Sequence, residues 1–170
     1  MINEKLAYYS NVAVKLLKEQ GLRVSFAESC TGGMATAAIT SVDGSSAVLD
    51  LSIVTYANSA KTMYTDVTDE VLEEYGAVSE QTAQLMSSGI KKRAMSDIGV
   101  GITGIAGPTG GSPQKPVGTV YIAIDSGEFQ TVKHFLFSSP PETKNKRQAI
   151  RIQTAVQALA MLIDLLKGMV

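Results

Sequence analysis

Helix-like and strand-like apolar patterns alternate along the first two-thirds of the chain, and this alternation restricts the possible folds most strongly. The N-terminal segment has apolar residues at three- and four-residue spacing, which predicts an amphipathic helix that ends at Gly21. Short apolar runs then predict buried strands at residues 22–27, 47–55 and 98–105. Polar or helical segments separate these strands, as is typical of α/β proteins.

The last third of the chain adds a strand pair and a long helix. Apolar runs at residues 117–124 and 131–137 flank Ser126-Gly127, which favours a β-hairpin. A helical pattern then continues from about Thr143 to Leu166. Together these patterns predict one domain over residues 1–170, with a three-layer α/β/α fold and a mixed sheet.

Composition argues against several classes of protein. The 170 residues fit a single domain, and the formal net charge of -1, with no strongly basic half, argues against a nucleic-acid partner. No unbroken apolar stretch reaches the length of about 18–20 residues that spans a bilayer, and the start lacks the apolar core of a secretory signal. We therefore predict a cytoplasmic protein that does not act at a membrane.

The single cysteine and single histidine restrict the chemistry further. Cys30 and His134 are too few for a zinc site built from Cys and His side chains, and a lone cysteine forms no internal disulfide. No motif for a metal or an organic cofactor stands out, so we predict that neither is needed. Catalysis would then depend on Ser, Thr, Tyr, Lys, Arg or carboxylate side chains.

Ser29 follows a predicted strand and precedes a glycine pair and a predicted helix. This order of strand, turn and helix raises a nucleophile above a sheet, and free N–H groups at a helix N-terminus bind a phosphate or an oxyanion. Thr31, Gly32 and Gly33 complete the turn, and the glycines let the backbone approach a ligand closely. A capped loop without a catalytic role is the alternative interpretation.

Cys30 is a rival nucleophile in this turn. A catalytic thiolate needs a neighbouring histidine, and the only candidate, His134, lies within a strand-like run. We therefore interpret Cys30 as a packing or supporting residue. A serine nucleophile needs a different base here, and a neutral lysine can serve if burial or nearby cations lower its pKa.

Lys61 is the candidate base, because it lies just beyond the strand at 47–55, where active sites of α/β proteins gather. Tyr56, between that strand and Lys61, is placed to relay a proton or to position a substrate. A solvated surface lysine is the alternative interpretation of Lys61.

The segment 99–104 matches the dinucleotide-binding pattern G-x-G-x-x-G, but its glycines fall within a predicted strand and a Pro/Gly-rich loop follows. We therefore reject a Rossmann-type site. Thr103 and Gly104 end this strand, from which the Thr103 hydroxyl can reach the pocket of Ser29. The loop 109–115 is either a lid or a plain surface connection.

Two arginines one turn apart, Arg147 and Arg151, lie near the predicted start of the last helix together with Lys144. Both guanidinium groups can reach one anion, and the helix N-terminus favours negative charge. This face suits a substrate that carries a phosphate. A solvated charged face is the alternative interpretation.

A series of segments extends over residues 5–166: Ala27-Glu28-Ser29-Cys30-Thr31-Gly32-Gly33, Gly44-Ser45-Ser46, Val54-Thr55-Tyr56 with Lys61, Gly76-Ala77-Val78-Ser79, Thr103-Gly104-Ile105-Ala106-Gly107-Pro108, Lys115-Pro116-Val117-Gly118-Thr119-Val120 and the arginine helix. In content and order they resemble the CinA C-terminal-domain family of nicotinamide mononucleotide deamidases. The chain departs from the common family pattern at Leu51-Ser52-Ile53 and at Asp43, where no proposed catalytic group lies.

The resemblance implies an α/β/α fold and hydrolysis of nicotinamide mononucleotide to nicotinate mononucleotide and ammonia. It implies Ser29 as nucleophile and Lys61 as general base, with assistance from Tyr56 and Thr103. The residues expected around the substrate, with either arginine on its phosphate, are Cys30, Thr31, Gly32, Gly33, Gly104, Arg147 and Arg151. The large N-terminal domain of full-length family members is missing, so the stand-alone form is expected.

Two other functions compete with this one. A non-catalytic nucleotide-binding module would use the glycine turn and the arginines without any contact between Ser29 and Lys61. A hydrolase of another small amide would keep that contact but prefer a different substrate. Residues 51–54 and the last helix can also line the interface of a homodimer, although core packing explains them equally well.

Overall fold

The structure is a computed structural model that describes residues 3–168. The strands are β1 (Val24–Glu28), β2 (Leu49–Val54), β3 (Ile98–Gly104), β4 (Thr119–Asp125) and β5 (Gln130–Leu136). The helices are α1 (Glu4–Gln20), α2 (Met34–Thr40), α3 (Asn58–Tyr64), α4 (Asp69–Tyr75), α5 (Glu80–Ala94) and α6 (Lys146–Gly168). A short 3₁₀ turn covers Ser45–Ala47.

The strands form a mixed sheet in the order β2-β1-β3-β4-β5. β1 pairs in parallel with β2 and β3, whereas β4 pairs antiparallel with both β3 and β5. The helices α1, α2 and α6 pack together on one face, and α5 covers the other face with α3 and α4 against it. The predicted three-layer α/β/α fold with a mixed sheet is confirmed.

Most of the core lies between the sheet and the layer of α1 and α6. Phe26, Val100 and Ile122 point to this side and are fully buried with Leu17 and Leu159 from the two helices. Successive residues of a strand point to opposite faces, so the residues between them face α5. The smaller cluster on that side is built from Ala27, Val67, Met86 and Ile90.

The glycines of β3 let α5 pack directly on the strand backbone. A Cβ atom on Gly99 would clash with the carbonyl oxygen of Ser87, and one on Gly101 with that of Ala83. Within the described residues no helix opens directly after β3, and a loop leads from it to β4. The first two glycines of the G-x-G-x-x-G pattern therefore serve helix packing in this fold.

The parallel strands fix where a site can form. Glu28, the last residue of β1, is in register with Val54 at the end of β2 and with Ile102 near the end of β3. Because neighbouring parallel strands end at the same edge of the sheet, the residues that follow them are brought together.

The helix ends follow their sequence signals with one exception. Gly21 ends α1 in a left-handed conformation, and the Ser79 hydroxyl caps α5 by accepting the N–H of Thr82. The last helix begins at Lys146 and not near Thr143, because the Asn145 side chain caps it by accepting the N–H of Gln148 at 2.9 Å. Lys144 therefore lies before the helix, outside the face that carries the arginines.

Helix α6 is long and apolar enough to span a bilayer, judged by length and composition alone. Half of its most apolar window is buried inside the protein, including Ala158 and Leu162, which are fully buried. Polar residues interrupt the apolar ones, so no unbroken run is visible in the sequence. Such burial is typical of a helix that packs in the core of a protein.

Candidate active site

Ser29 lies directly beyond β1, and only 8% of the residue is exposed. Its N–H donates to the carbonyl oxygen of Ile102 on β3 at 2.9 Å, so its backbone is still held by the sheet. Its own carbonyl oxygen accepts the N–H of Gly32 at 3.0 Å, which closes a tight turn over residues 29–32. The hydroxyl is thus presented at the sheet edge from a rigid backbone.

The turn enters α2 through Gly32 and Gly33, which have φ values of 59° and 88° that favour glycine. The buried carboxylate of Glu28 then accepts the N–H groups of Gly33, Ala35 and Thr36 at 3.0, 3.2 and 2.8 Å. These are the donors with which a helix N-terminus binds an anion. Glu28 therefore occupies the place that the sequence suggested for a phosphate or an oxyanion.

Cys30 and Thr31 carry the other N–H groups of the turn. Among residues 3–168, neither N–H group donates to a backbone carbonyl, whereas the N–H of Gly32 is used by Ser29; both lie close to the Cys30 sulfur, whose pKa they lower. Of the backbone donors expected to stabilise an oxyanion, those of Cys30 and Thr31 are available and that of Gly32 is not.

Lys61 lies in α3, which follows β2 at the same sheet edge, and only 1% of the residue is exposed. Its Nζ atom lies 3.3 Å from the Oγ of Ser29, 2.9 Å from the carbonyl oxygen of Thr55 and 3.3 Å from that of Tyr56. In the described part of the chain, no carboxylate forms an ion pair with this nitrogen. Burial lowers the pKa of Lys61 from its usual value of 10.5, which favours the neutral amine.

The thiol of Cys30 is free and buried. Burial and, second, the Glu28 carboxylate raise the pKa of Cys30 to about 12, although backbone N–H groups and Arg151 act in the opposite direction. The thiol is therefore protonated at neutral pH. His134 lies on β5, stacked on Tyr121, and β3 and β4 separate it from β1. This arrangement favours Ser29 over Cys30 as the nucleophile.

These groups meet in a cleft of about 270 Å³, just below the range of roughly 300–1,000 Å³ that is usual for small-molecule pockets. The predicted site residues that line it are Ser29, Cys30, Tyr56, Lys61, Thr103, Gly104 and Arg147. Those that do not line it are Thr31, Gly32, Gly33 and Arg151. A wider groove of about 600 Å³ lies along α1, but it contains none of the predicted site residues.

The two arginines have different surroundings although they are one helical turn apart. Arg147 lines the cleft and donates from Nη1 to the carbonyl oxygen of Gly107 at 2.6 Å and from Nη2 to the Tyr56 hydroxyl at 2.8 Å. Arg151 instead donates to the carbonyl oxygens of Cys30 and Thr31, at 3.1 and 2.7 Å. Only Arg147 is therefore placed to contact a ligand in the cleft.

Several cleft residues were not identified from the sequence. Ala77 and Val78 line the cleft, and the carbonyl oxygen of Ala77 accepts a hydrogen bond from the Thr103 hydroxyl at 2.6 Å. The segment Gly76-Ala77-Val78-Ser79 belongs to the resemblance, but its apolar side chains suggest no chemical role. Other lining residues are Asn58, Ile105, Ala106, Gly107, Thr109 and Gly110, so the loop after β3 forms one wall of the cleft.

Acidic, histidine and cysteine side chains do not form a metal-like cluster in residues 3–168, where no group of three or more was found. The ionisable groups of the cleft are instead Lys61, Arg147, Tyr56 and Cys30. Such a set can transfer protons and bind an anion.

Relatives of known sequence share this domain. The family model of the CinA C-terminal domain matches residues 7–166. The CinA-like protein of Syntrophus aciditrophicus (strain SB) is 44% identical over 147 residues, which cover 86% of this chain and 34% of that protein. The CinA-like protein of Anaeromyxobacter dehalogenans (strain 2CP-C) is 44% identical over 154 residues, which cover 89% of this chain and 36% of that protein. The chain thus spans about a third of the length of these curated relatives.

Solved structures match over nearly their whole length. The competence/damage inducible protein CihA from Agrobacterium tumefaciens has a TM-score of 0.90 and 38% identity, covering 97% of this chain and 98% of that one. The competence damage-inducible protein A (ComA) from Klebsiella pneumoniae subsp. pneumoniae MGH 78578 has a TM-score of 0.87 and 32% identity, covering 94% of this chain and 95% of that one. The chain described here belongs to the CinA C-terminal domain family.

Proposed function

We propose that this protein is an amidohydrolase that converts nicotinamide mononucleotide to nicotinate mononucleotide and ammonia through an acyl-enzyme on Ser29. The observation that carries the proposal is the contact of 3.3 Å between the Nζ atom of Lys61 and the Oγ atom of Ser29, inside a cleft. A buried lysine without a carboxylate partner is unfavourable for folding, and such groups cluster at catalytic sites. The family resemblance supplies the substrate.

The surroundings of Lys61 direct its lone pair. The carbonyl oxygens of Thr55 and Tyr56 can only accept hydrogen bonds, so each takes one hydrogen of the neutral amine. The remaining contact, with Ser29, is then left for the lone pair. In this protonation state Lys61 accepts the hydrogen of the Ser29 hydroxyl and is poised to remove it.

In the first half of the reaction, the Oγ of Ser29 attacks the carboxamide carbon while Lys61 takes the hydroxyl proton. The oxyanion forms beside the N–H group of Cys30, which lines the cleft, and the N–H of Thr31, next in the turn, is the second donor. One such donor typically contributes about 2.7–4 kcal/mol of stabilisation. The C–N bond then breaks as protonated Lys61 returns the proton to the departing nitrogen. Ammonia leaves, and a nicotinoyl ester remains on Ser29.

In the second half, a water molecule attacks the ester carbon and gives its proton to Lys61. The bond between this carbon and the Oγ of Ser29 breaks, and the proton passes from Lys61 to the serine. Nicotinate mononucleotide leaves, and the neutral amine and the free hydroxyl are restored.

Thr103 and Tyr56 have complementary tasks in this scheme. The Thr103 hydroxyl gives its hydrogen to Ala77, so its lone pairs remain to accept a hydrogen bond from the carboxamide nitrogen. The Tyr56 hydroxyl accepts a hydrogen bond from Arg147, so its own hydrogen remains available to a substrate or to a leaving group. The first contact orients the amide, and the second supports proton transfer.

Arg147 is the residue that we assign to the phosphate. It is half-buried at the wall of the cleft, and its two hydrogen bonds leave other N–H groups of the guanidinium free. A planar guanidinium binds a phosphate through paired hydrogen bonds, which a neutral side chain cannot reproduce. The carbonyl contacts of Arg151 make it unsuitable for this task.

The test is ammonia release by the purified protein from nicotinamide, its riboside and its mononucleotide. We expect the highest kcat/KM with the mononucleotide, and we expect Ser29→Ala and Lys61→Met to abolish release while circular dichroism shows an intact fold. Binding of the mononucleotide without ammonia release would indicate the nucleotide-binding module instead. Full activity in Ser29→Ala would exclude the acyl-enzyme.

A further inference from the structure

We propose that Arg151 is a positioning residue, which holds the carbonyl groups of Cys30 and Thr31 so that the turn keeps its free N–H groups in place for an oxyanion. The inference deepens the proposed function and depends on Ser29 as the nucleophile. It assigns to Arg151, which lies outside the cleft, a part in the chemical step and not in substrate binding.

The guanidinium of Arg151 contacts the turn at two adjacent peptide groups. Its Nε lies 3.1 Å from the carbonyl oxygen of Cys30, and its Nη2 lies 2.7 Å from that of Thr31. Its Nη1 donates to the side-chain oxygen of Gln148 at 2.9 Å, one turn earlier on α6. Because the donors of a guanidinium have a fixed planar geometry, these three contacts fix the distance and the angle between α6 and the turn.

The carbonyl contacts determine where the N–H groups point. In a trans peptide the C=O and N–H bonds are antiparallel, so holding one carbonyl sets the direction of the next N–H group. The carbonyl of Cys30 shares a peptide plane with the N–H of Thr31, one of the two free donors of the turn. Arg151 therefore directs the Thr31 N–H to the side of the turn opposite its own guanidinium.

The second contact stabilises the other free donor. The carbonyl of Thr31 shares a peptide plane with the N–H of Gly32, which donates to the carbonyl oxygen of Ser29 at 3.0 Å. That carbonyl in turn shares a plane with the N–H of Cys30. The contact between Arg151 and Thr31 therefore supports the turn closure that orients the Cys30 donor.

The fit of Arg151 against the turn also explains one of the glycines. A Cβ atom on Gly32 would lie 3.2 Å from the Nη2 of Arg151, which is tighter than ordinary van der Waals contact. The glycine thus gives space to the guanidinium as well as allowing the positive φ of 59°. Gly32 and Arg151 form one structural unit that supports the turn from the side of α6.

The experiment uses the full chain and a fluorophosphonate, a reagent that reports on Ser29 whatever the natural substrate is. The Oγ of Ser29 forms a bond to phosphorus, fluoride leaves, and Lys61 takes the serine proton. The phosphoryl oxygen develops negative charge at the place of the oxyanion. Mass spectrometry measures the labelling rate at Ser29, and ammonia release from the mononucleotide and the riboside gives kcat and KM.

We compare Arg151→Met and Arg151→Lys with a matched control, Arg93→Met. Arg93 also donates to two adjacent carbonyl oxygens, with Nε at 2.9 Å from that of Tyr64 and Nη2 at 3.1 Å from that of Met63, and it neither lines the cleft nor touches the Ser29 turn. Because these carbonyls end α3, the helix of Lys61, thermal unfolding is measured for both variants. Losing an oxyanion donor typically lowers kcat about 100-fold or more, so we expect Arg151→Met to lower the labelling rate and kcat at least about tenfold. KM should stay within about twofold of the wild type.

The expected loss in kcat is the same for the mononucleotide and the riboside, because the turn acts on the carboxamide and not on the phosphate. Arg151→Lys keeps a donor near the carbonyls and should recover part of the labelling rate. Arg93→Met should be labelled at Ser29 at the same rate as the wild type. Wild-type labelling by Arg151→Met, or an effect confined to the KM of the mononucleotide, would overturn the inference. Equal slowing in Arg93→Met together with an equal loss of thermal stability in both variants would overturn it as well, because the effect would then reflect general destabilisation.

The outcome separates this inference from the proposed function. If the wild type is labelled at Ser29 but releases no ammonia from the mononucleotide, the proposed substrate is wrong, and the labelling rates still decide the role of Arg151. If the wild type is neither labelled nor active, Ser29 is not a nucleophile and both proposals fail.

Discussion

Glu28 accepts two hydrogen bonds from Thr36, one from the backbone N–H at 2.8 Å and one from the hydroxyl at 2.6 Å. The carboxylate is fully buried, and in residues 3–168 it has no ion-pair partner. Its negative charge is balanced by the N–H groups at the start of α2. Since Glu28 directly precedes Ser29, one side chain caps the helix and steadies the turn of the candidate nucleophile.

We expect Glu28→Gln to lower the free energy of unfolding by about 2–3 kcal/mol, since the amide presents an NH₂ group to donors that need an acceptor. Urea unfolding followed by circular dichroism measures the change. Thr36→Ala, which removes the hydroxyl contacts with Glu28 and Ser52 but keeps the backbone N–H, should lower the stability by about 1 kcal/mol. A Glu28→Gln protein as stable as the wild type would contradict the capping role.

Lys61→Met should abolish ammonia release and yet leave the protein at least as stable as the wild type at neutral pH. Methionine fills a similar volume without placing an amine in a buried site that has no carboxylate partner. Thermal unfolding of the two proteins at pH 7 makes the comparison. A clear loss of stability in Lys61→Met would mean that the amine supports the fold, contrary to this account.

The stability of the wild type should rise with pH relative to that of Lys61→Met. Burial lowers the pKa of Lys61 in the folded state below its usual value of 10.5. Between the lowered pKa and 10.5 the unfolded chain binds more protons at this residue than the folded chain, so the free energy of unfolding increases with pH across that window. Urea titrations at several pH values in this window measure the free energy of unfolding of both proteins. If the difference between the two free energies does not change with pH, the pKa of Lys61 is not shifted.

The kcat of the protein should depend on the ionisation of Lys61. Only the neutral amine of Lys61 can take the proton of Ser29, so kcat should increase as the pH rises through the lowered pKa and level off above it. The measurement is the profile of kcat against pH at saturating substrate. A rate that falls over this range would assign the essential group to an acid instead of a base.

Cys30 should be inert to a thiol reagent in the native protein. Only 5% of the residue is exposed, and burial raises the pKa of its thiol to about 12. We expect a disulfide reagent such as DTNB to react at neutral pH only after unfolding in guanidinium, and Cys30→Ala to retain ammonia release. Rapid labelling of the native protein with matching inactivation would restore Cys30 as the rival nucleophile.

Arg147→Met should raise the KM of the mononucleotide about tenfold or more and leave the KM of the riboside nearly unchanged. A hydrogen bond to a charged group typically contributes about 1.5–3 kcal/mol, and only the mononucleotide offers the phosphate that would receive it. Steady-state ammonia release with both substrates measures the ratio. An equal rise in both KM values would place Arg147 on another part of the substrate.

The order of helices and strands was predictable because apolar periodicity follows burial on each face. The start of α6 was predicted too early, because the helical pattern from Thr143 hides the cap at Asn145. The contact of Ser29 with Lys61 follows from strand ends that meet at one edge, so the candidate pair was visible in the sequence. Its acid neighbour Glu28 was not recognised, although carboxylates are common ahead of helices.

The different roles of Arg147 and Arg151 could not be predicted from the sequence. Both fall on the same helix face, and spacing within α6 assigns them the same reach. Their partners, however, lie in the loop after β3 and in the turn after β1, about 40 and 120 residues away along the chain. Their tasks therefore differ through tertiary packing, which local patterns do not encode.

The candidate base Lys61 follows β2, one of the two edge strands of the sheet. In the described part of the chain β2 pairs only with β1, whereas β1, which leads to Ser29, has a neighbour on each side. Peripheral strands open at a lower free energy than central ones. Local opening of β2 would move Lys61 away from Ser29 while the rest of the sheet stays folded. Low denaturant concentrations should therefore abolish ammonia release before global unfolding begins.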